Sequence, residues 1–326
     1  MTMTSTSRTT NELVIASRGS RLALIQADTV ARAISQARPD VSVGVETITT
    51  TGDRDQRPFG VIGGKGLFSS EVERAVAEGT CDLAVHSAKD LTADLAPGCT
   101  LAAFLPRGSV HDVVVGGVGA TGEERLLGLP AGALVGTSSM RRRALMSELR
   151  SDIELVELRG NLDTRLKKVA NGEVAAAILA AAGIERLEAD ADTAPLDPSR
   201  WIPAPAQGAI AVEARIDRPD VLELLAAIDD ADTRAEVSCE RAFAERLEGG
   251  CSVPLGCLAR ANGSELVVTA FLGDFDGGLG LRDRISGPTA EAAALGSELA
   301  VALLNAGGDE ILAAIRSESA PTPQQP

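Results

Sequence analysis

Aromatic side chains are almost missing from this chain: its 326 residues hold six Phe, one Trp and no Tyr. Without aromatic platforms, stacking of successive nucleobases is excluded as a binding mode. The core has to be filled by Ala, Val, Leu and Ile. Histidine is limited to His86 and His111. With no second His or Cys at ligand spacing, a zinc centre has nothing to be built from, and no metal is expected. The five cysteines (Cys81, Cys99, Cys239, Cys251 and Cys257) are odd in number and include no CxxC pair. That usage reads as a reduced, cytoplasmic protein and not as a disulfide scaffold. No apolar run reaches membrane-spanning length. The opening MTMTSTSRTTNE lacks the apolar stretch of a secretory signal.

Positive charge is also short. Lys and Arg number 31 against 46 Asp and Glu, a net charge of −15. A phosphate backbone or an anionic membrane surface is repelled by most of such a surface, so neither is expected as a partner. A local basic pocket for a small anion remains compatible with it. What is present is ordinary for a globular protein, with 44% hydrophobic and 24% charged residues. The length exceeds what one core organises, which predicts two or three domains.

Between polar ends at 1–12 and 317–326, both read as disordered, strand-like and helix-like segments alternate. LVIAS (13–17), residues 20–37, VSVGVETI, residues 67–78 and DLAVHSA (82–88) read as strand, helix, strand, helix, strand. The alternation resumes near 112. DVVVG, ALVGTSS, IELVEL and AAAILAA read as strands, and MRRRALMSELR, NLDTRLKKVAN and IERLEA as helices. This predicts parallel sheets covered by helices on both faces. Pro195, Pro198, Pro203 and Pro205 mark a crossing instead of an element. AIAVEARI (209–216) then reads as a strand able to return to the first sheet. From Thr233 the character changes to α+β. Thr233-x-x-Glu236 has the form of a capping box opening a helix that ends at Gly249-Gly250. LVVTAFLG and LRDRISG flank an Asp-Gly-Gly turn as a hairpin, and helices follow over about 289–316. Open α/β sheets bind ligands outside the carboxyl ends of their parallel strands, so residues just after strands carry the functional reading.

Two glycine-rich segments are set aside as nucleotide sites. Gly117-Val-Gly119-Ala-Thr-Gly122 lacks the long following helix of a dinucleotide unit. Gly60 to Gly66, GVIGGKG, is one residue short of a phosphate loop and has Gly66 where a magnesium-binding hydroxyl belongs, although Lys65 can lie over an anion. The stronger signal is Thr137-Ser138-Ser139-Met140-Arg141-Arg142-Arg143. Hydroxyls and free backbone N–H groups at a helix start, followed one turn in by guanidiniums, make an anion site. Residues 137–168 hold eight Arg and Lys against five acidic residues, so the window is basic within an acidic chain. Arg159-Gly160-Asn161 and Ser17-Arg18-Gly19-Ser20 repeat the placement. His86-Ser87-Ala88-Lys89-Asp90 adds an acid beside a base at a fourth strand end. A carboxylate among cations stays ionised and can stabilise a developing positive charge or relay a proton. Cys251, in a loop after Gly249-Gly250, is open to three readings: a nucleophilic thiol, a structural thiol, or a partner of Cys257.

Six ordered blocks run through nearly the whole chain. They are ASRGS with LAL and Gln26, GGKGLF at 63–68, HSAKD at 86–90, VGTSSMRR at 135–142, LRGNLDTRL at 158–166 and RLEGGCSVPLG at 246–256. In these the chain resembles the porphobilinogen deaminase (hydroxymethylbilane synthase) family. The resemblance implies two type II periplasmic-binding-protein-like α/β domains plus a small C-terminal α+β domain. Domain 1 spans 13–108 plus 208–228, domain 2 spans 109–207, and domain 3 spans 229–316 and carries the cofactor cysteine. It further implies a cytoplasmic, monomeric transferase of tetrapyrrole biosynthesis. Four molecules of its substrate, porphobilinogen, are joined head to tail with release of ammonia, and hydroxymethylbilane is freed by hydrolysis. The growing chain is held on a dipyrromethane cofactor attached by thioether at Cys251.

Asp90 is implied as catalytic acid/base, stabilising the cation left by deamination. Cofactor binding is implied for Lys65, Ser87, Lys89, Asp90, Thr137, Ser138, Ser139, Arg141, Arg142, Arg159 and Gly160. Substrate binding is implied for Arg18, Ser20, Phe68, Arg159, Arg165, Arg186 and Gln207. Each pyrrole unit of that family's substrate carries an acetate and a propionate, which suits cations at several strand ends. Arg21, Ala88, Leu91-Thr92 and PAPAQG at 203–208 depart from the commonest pattern without removing a reactive group. The competing reading is a non-catalytic two-lobed anion-binding protein. It accounts for the Arg and Ser strand ends but not for Asp90 or a thiol in a glycine loop.

Overall fold

The computed structural model describes residues 12–50, 70–92, 94–247, 253–274, 278 and 280–319. Lys65, Phe68, Cys251, the 60–66 segment and the outermost ends of the chain lie outside the described residues. The chain divides into two compact units. One comprises Met1–Gln56, Gly66–Arg107 and Ala209–Arg234, and the other Arg57–Lys65, Gly108–Gly208 and Ala235–Pro326.

The first unit is built on a five-stranded sheet in the order Ser42–Ile48, Glu12–Arg18, Leu83–Ser87, Ile210–Arg215, Cys99–Phe104. The first three strands run parallel. Ile210–Arg215 is antiparallel to both of its neighbours, so the sheet is mixed, not wholly parallel as the alternation predicts. This strand arrives from a distant part of the chain, and nothing local sets its direction. The helix Arg21–Ala37 forms where Ala27, Val30 and Ile34 recur at helical spacing. It buries that stripe against Leu13, Ile15, Leu83 and Val85 of the sheet. Ser20 caps it, its Oγ accepting the Ala23 N–H at 3.3 Å. Complete burial of Val30 or Ile34 contributes about 1.5–3 kcal/mol each.

The second unit holds a five-stranded sheet in the order Glu154–Val156, Leu134–Gly136, Ala176–Ala180, Asp112–Gly116, Thr193–Pro195. Three parallel strands again meet one reversed strand in fourth place. The two sheets thus share one order and one pattern of directions. Pro195 ends a short edge strand within the segment expected to carry no element, a position where a missing N–H is tolerated. The Gly117–Gly122 segment leads into a helix of six residues, Gly122–Leu127, closed by a Thr121–Glu124 capping box.

Also in the second unit, Leu255–Asn262, Glu265–Gly273 and Gly280–Pro288 form a three-stranded antiparallel sheet. It packs with Cys239, Phe243, Leu299 and Leu303 into one core. The preceding helix is Ala231–Arg246, starting two residues before Thr233. Asp230 provides the cap, its Oδ1 accepting the Thr233 N–H at 2.8 Å. Thr233 Oγ1 accepts the Arg107 N–H at 3.0 Å and Glu236 the Ala261 N–H at 3.1 Å, so the apparent capping box is spent on long-range partners. The last helix, Asp309–Ser319, continues past residue 316 into the tail read as disordered.

Candidate active site

In the first unit two parallel strands end side by side and deliver the polar residues. Glu12–Arg18 leads through Arg18 to the Ser20 cap, and Leu83–Ser87 leads into the single 3-10 turn Ala88–Asp90. A cavity of about 80 Å³ is lined by Arg18, Ser20, Gln26, His86, Ser87 and Asp90 over an apolar floor that includes Val72 and Val85. Gln26, buried in its helix, donates from Nε2 to Ser87 Oγ at 2.9 Å, and the Ser87 hydroxyl lies 3.1 Å from Gln26 Oε1. This clamp holds the strand end from which Asp90 projects, while Asp90 itself is exposed. Behind the cavity, His86 Nε2 lies 3.0 Å from Glu213 Oε2, and both side chains are buried. Glu213 is named by none of the motifs, and Gln26 stands in the first block without a role assigned to it. The signals were a lone carboxylate inside the apolar strand AIAVEARI and a lone amide on the buried stripe of a helix.

In the second unit the strand Leu134–Gly136 runs into Thr137, which is buried. Thr137 Oγ1 accepts the Ser139 N–H at 3.2 Å, Ser138 Oγ donates to the Leu158 carbonyl at 2.9 Å, and Ser139 caps the helix Met140–Leu149. Arg141 and Arg142 point inward. They are 3% and 7% exposed and share the fully buried Asp112 carboxylate, at 2.8 Å each. Burial opposes the charge on Asp112, but the guanidiniums, with the side-chain amide of Gln207, outweigh it and hold the carboxyl well below the usual carboxylate range. Burial draws the Arg141 guanidinium down from its ordinary value despite Asp112. Gln207, also fully buried, donates to the Val110 carbonyl at 2.7 Å and to Asp112 Oδ1 at 2.9 Å. The sequence pattern presents Arg141 and Arg142 as donors for a ligand; the structure adds an internal anion between them.

Arg159 pairs with Glu157 at 2.8 Å and Arg165 donates to the Gly160 carbonyl at 2.9 Å. Gly160 has φ +102°, and a Cβ there would lie 2.7 Å from Thr164 Cγ2, so the turn that joins them requires glycine. Arg186 stands apart, donating to the Gly208 carbonyl at 2.5 Å, with burial lowering its pKa. Arg18, Ser20, Ser87 and Asp90 are therefore brought to one cavity, and Thr137, Ser138, Ser139, Arg141, Arg142 and Gln207 to one strand–helix junction. Cys257 is buried in the strand Leu255–Asn262. Among the described residues no group of three or more His, Cys, Asp or Glu is placed to hold a metal ion, and no helix is long and apolar enough to cross a membrane.

Residues 13–223 match the family profile described as porphobilinogen deaminase, dipyromethane cofactor binding domain, and residues 234–305 match its C-terminal domain. The porphobilinogen deaminase of Roseiflexus castenholzii is 47% identical over 305 residues, covering 93% of this chain and 99% of that one. That of Methylobacillus flagellatus is 42% identical over 308 residues, covering 94% and 98%. Among solved structures, a periplasmic solute-binding protein from Desulfovibrio salexigens aligns with a TM-score of 0.41 at 10% identity, over 69% of this chain and 73% of that one. The near-complete likeness to enzymes displaces the reading as a non-catalytic anion-binding protein.

Proposed function

The chain belongs to the porphobilinogen deaminase family, and from that premise we propose that Cys251 carries the dipyrromethane cofactor as a thioether and that Asp90 is the catalytic acid/base. The reaction is the stepwise head-to-tail condensation of four porphobilinogen molecules with loss of ammonia, followed by hydrolytic release of hydroxymethylbilane. The observation that carries the assignment is the cavity in which one carboxylate, Asp90, stands with Arg18, Ser20 and Ser87 at two adjoining strand ends.

The donor chemistry fits a pyrrole polycarboxylate. Arg141 Nε and Arg142 Nε are buried donors without a hydrogen-bond partner among the described residues, and the acceptor Asp112 Oδ2 is likewise buried without one. Lys65, Ser87, Lys89, Thr137, Ser138, Ser139, Arg141, Arg142, Arg159 and Gly160 would hold the cofactor's carboxylates and backbone edge. When bound, the dipyrromethane supplies the nucleophilic carbon on which the chain grows. Arg18, Ser20, Arg165, Arg186, Gln207 and Phe68 bind and orient the incoming substrate through its acetate and propionate and its ring. Asp90 accepts the pyrrole N–H and stabilises positive charge as ammonia leaves. A proton held at its carboxyl oxygen serves the acid step.

The protein is further read as a cytoplasmic monomer of three domains (13–108 with 208–228, 109–207 and 229–316) that meets neither nucleic acid nor membrane. The net charge of −15 supports the last point. Intact-mass measurement tests the assignment. The purified protein carries a dipyrromethane-sized adduct that Cys251→Ser lacks, and an unmodified yet fully active parent would overturn it.

A further inference from the structure

We propose that Asp112 is a positioning residue for the Arg141–Arg142 pair. It neutralises one guanidinium charge and fixes both groups, leaving one net positive charge at the start of the Met140–Leu149 helix for a single ligand carboxylate. The inference rests on the reading that this pair holds cofactor carboxylates.

Asp112 is the first residue of its strand and is completely buried. Its Oδ1 pairs with Arg142 at 2.8 Å and its Oδ2 with Arg141 at 2.8 Å, so each oxygen takes one guanidinium. Gln207 Nε2 adds a third donor at 2.9 Å on Oδ1. Each arginine is tied down a second time, Arg141 Nη1 to the Ile202 carbonyl at 2.9 Å and Arg142 Nη1 to the Ile178 carbonyl at 2.8 Å. Among the described residues neither arginine has another acidic partner.

Two cations thus share one anion where burial of an unpaired ion costs several kcal/mol. An arrangement serving stability alone would balance its charges. The surplus charge lies where backbone N–H groups of a helix start already favour an anion, and both Nε–H groups of the pair are buried without a hydrogen-bond partner among the described residues. Asp112 therefore prevents the two guanidiniums from repelling each other out of the site before a ligand arrives.

The test is a double-mutant cycle on the full chain, read by adduct fraction, melting temperature, and kcat and KM separately. Asp112→Asn keeps the side-chain size but leaves two unbalanced cations. It is expected to lower the melting temperature and the adduct fraction of the folded protein. In its loaded molecules kcat falls roughly tenfold or more with KM unchanged, as displacement of a reacting group does. Adding Arg141→Gln removes the surplus cation and recovers part of the melting temperature. A purely structural Asp112 moves the melting temperature alone and leaves adduct fraction and kcat at parental values, and that result overturns the proposal. Losses of melting temperature that simply add overturn it as well. Should Asp112→Asn not fold, a folded double variant supports the charge rule and an unfolded one overturns it. If the parent carries no adduct, the cofactor reading falls, while the melting cycle still decides the charge rule.

Discussion

Replacing Glu240 should destabilise the second unit more than any surface change. Glu240 lies midway along the Ala231–Arg246 helix and is fully buried. Its Oε2 accepts the Ala206 N–H at 2.5 Å and its Oε1 the Ala259 N–H at 2.8 Å. One carboxylate thus secures the segment after the prolines and the strand that follows the Cys251 loop. Ala206 has φ +60°, a left-handed conformation costing a non-glycine residue about 1–2 kcal/mol, so its backbone needs such a tie. Glu240→Ala strips the acceptor from two buried N–H groups, at about 1–3 kcal/mol each. Loss of the one buried methylene that alanine lacks adds about 0.8 kcal/mol. The expected loss is about 5 kcal/mol, a third or more of the stability of an ordinary domain. Glu240→Gln preserves volume and keeps one acceptor oxygen, but turns an NH2 toward the other donor, so about half that loss is expected. Urea titration at neutral pH, fitted to the transition of this unit, measures both. Variants within about 1 kcal/mol of the parent, or a Gln variant as damaging as Ala, would refute the bridging role.

Three further outcomes follow from the same geometry. Asp112 titrates below its unfolded value near 3.8, so its stabilisation is complete above that value and drains as the pH falls through the folded one. The parent should lose stability relative to Asp112→Asn on going from pH 5 to pH 3, and parallel urea midpoints at about these pH values would contradict it. Burial, reinforced by Glu213 and Glu240 respectively, pushes the Cys99 and Cys239 thiols up to about 12. Iodoacetamide at about pH 8 should spare both in the folded protein, and prompt labelling detected by peptide mass would contradict this. Asp90→Ala should keep the adduct and lose roughly 100-fold or more of turnover, and wild-type turnover would remove Asp90 from the mechanism.

The helix starts near Ser20 and Asn161 were legible from sequence because what fixes them is local: Ser20 accepts the Ala23 N–H and Asn161 the Thr164 N–H at 2.9 Å. The strand ends carrying Arg18, Ser87 and Ser138 were legible too, since apolar runs and hydroxyl clusters mark where a strand stops. Thr233 misled because its hydroxyl bonds to Arg107, over a hundred positions away, while the neighbouring Asp230 caps the helix. Ile210–Arg215 reads as a strand from its own residues, but only its partners Leu83–Ser87 and Cys99–Phe104 decide its direction.

The sequence by itself determined which chemistry is present: a carboxylate beside a lysine, arginines after a helix start, a thiol among glycines, and six blocks in family order. Tertiary structure alone decided what each charge faces, placing Asp112 between Arg141 and Arg142, Glu213 behind His86 and Glu240 under Ala206. The reason is physical. Capping and periodicity act over three or four residues, whereas Coulomb attraction and the cost of desolvation depend on separation in space and on burial.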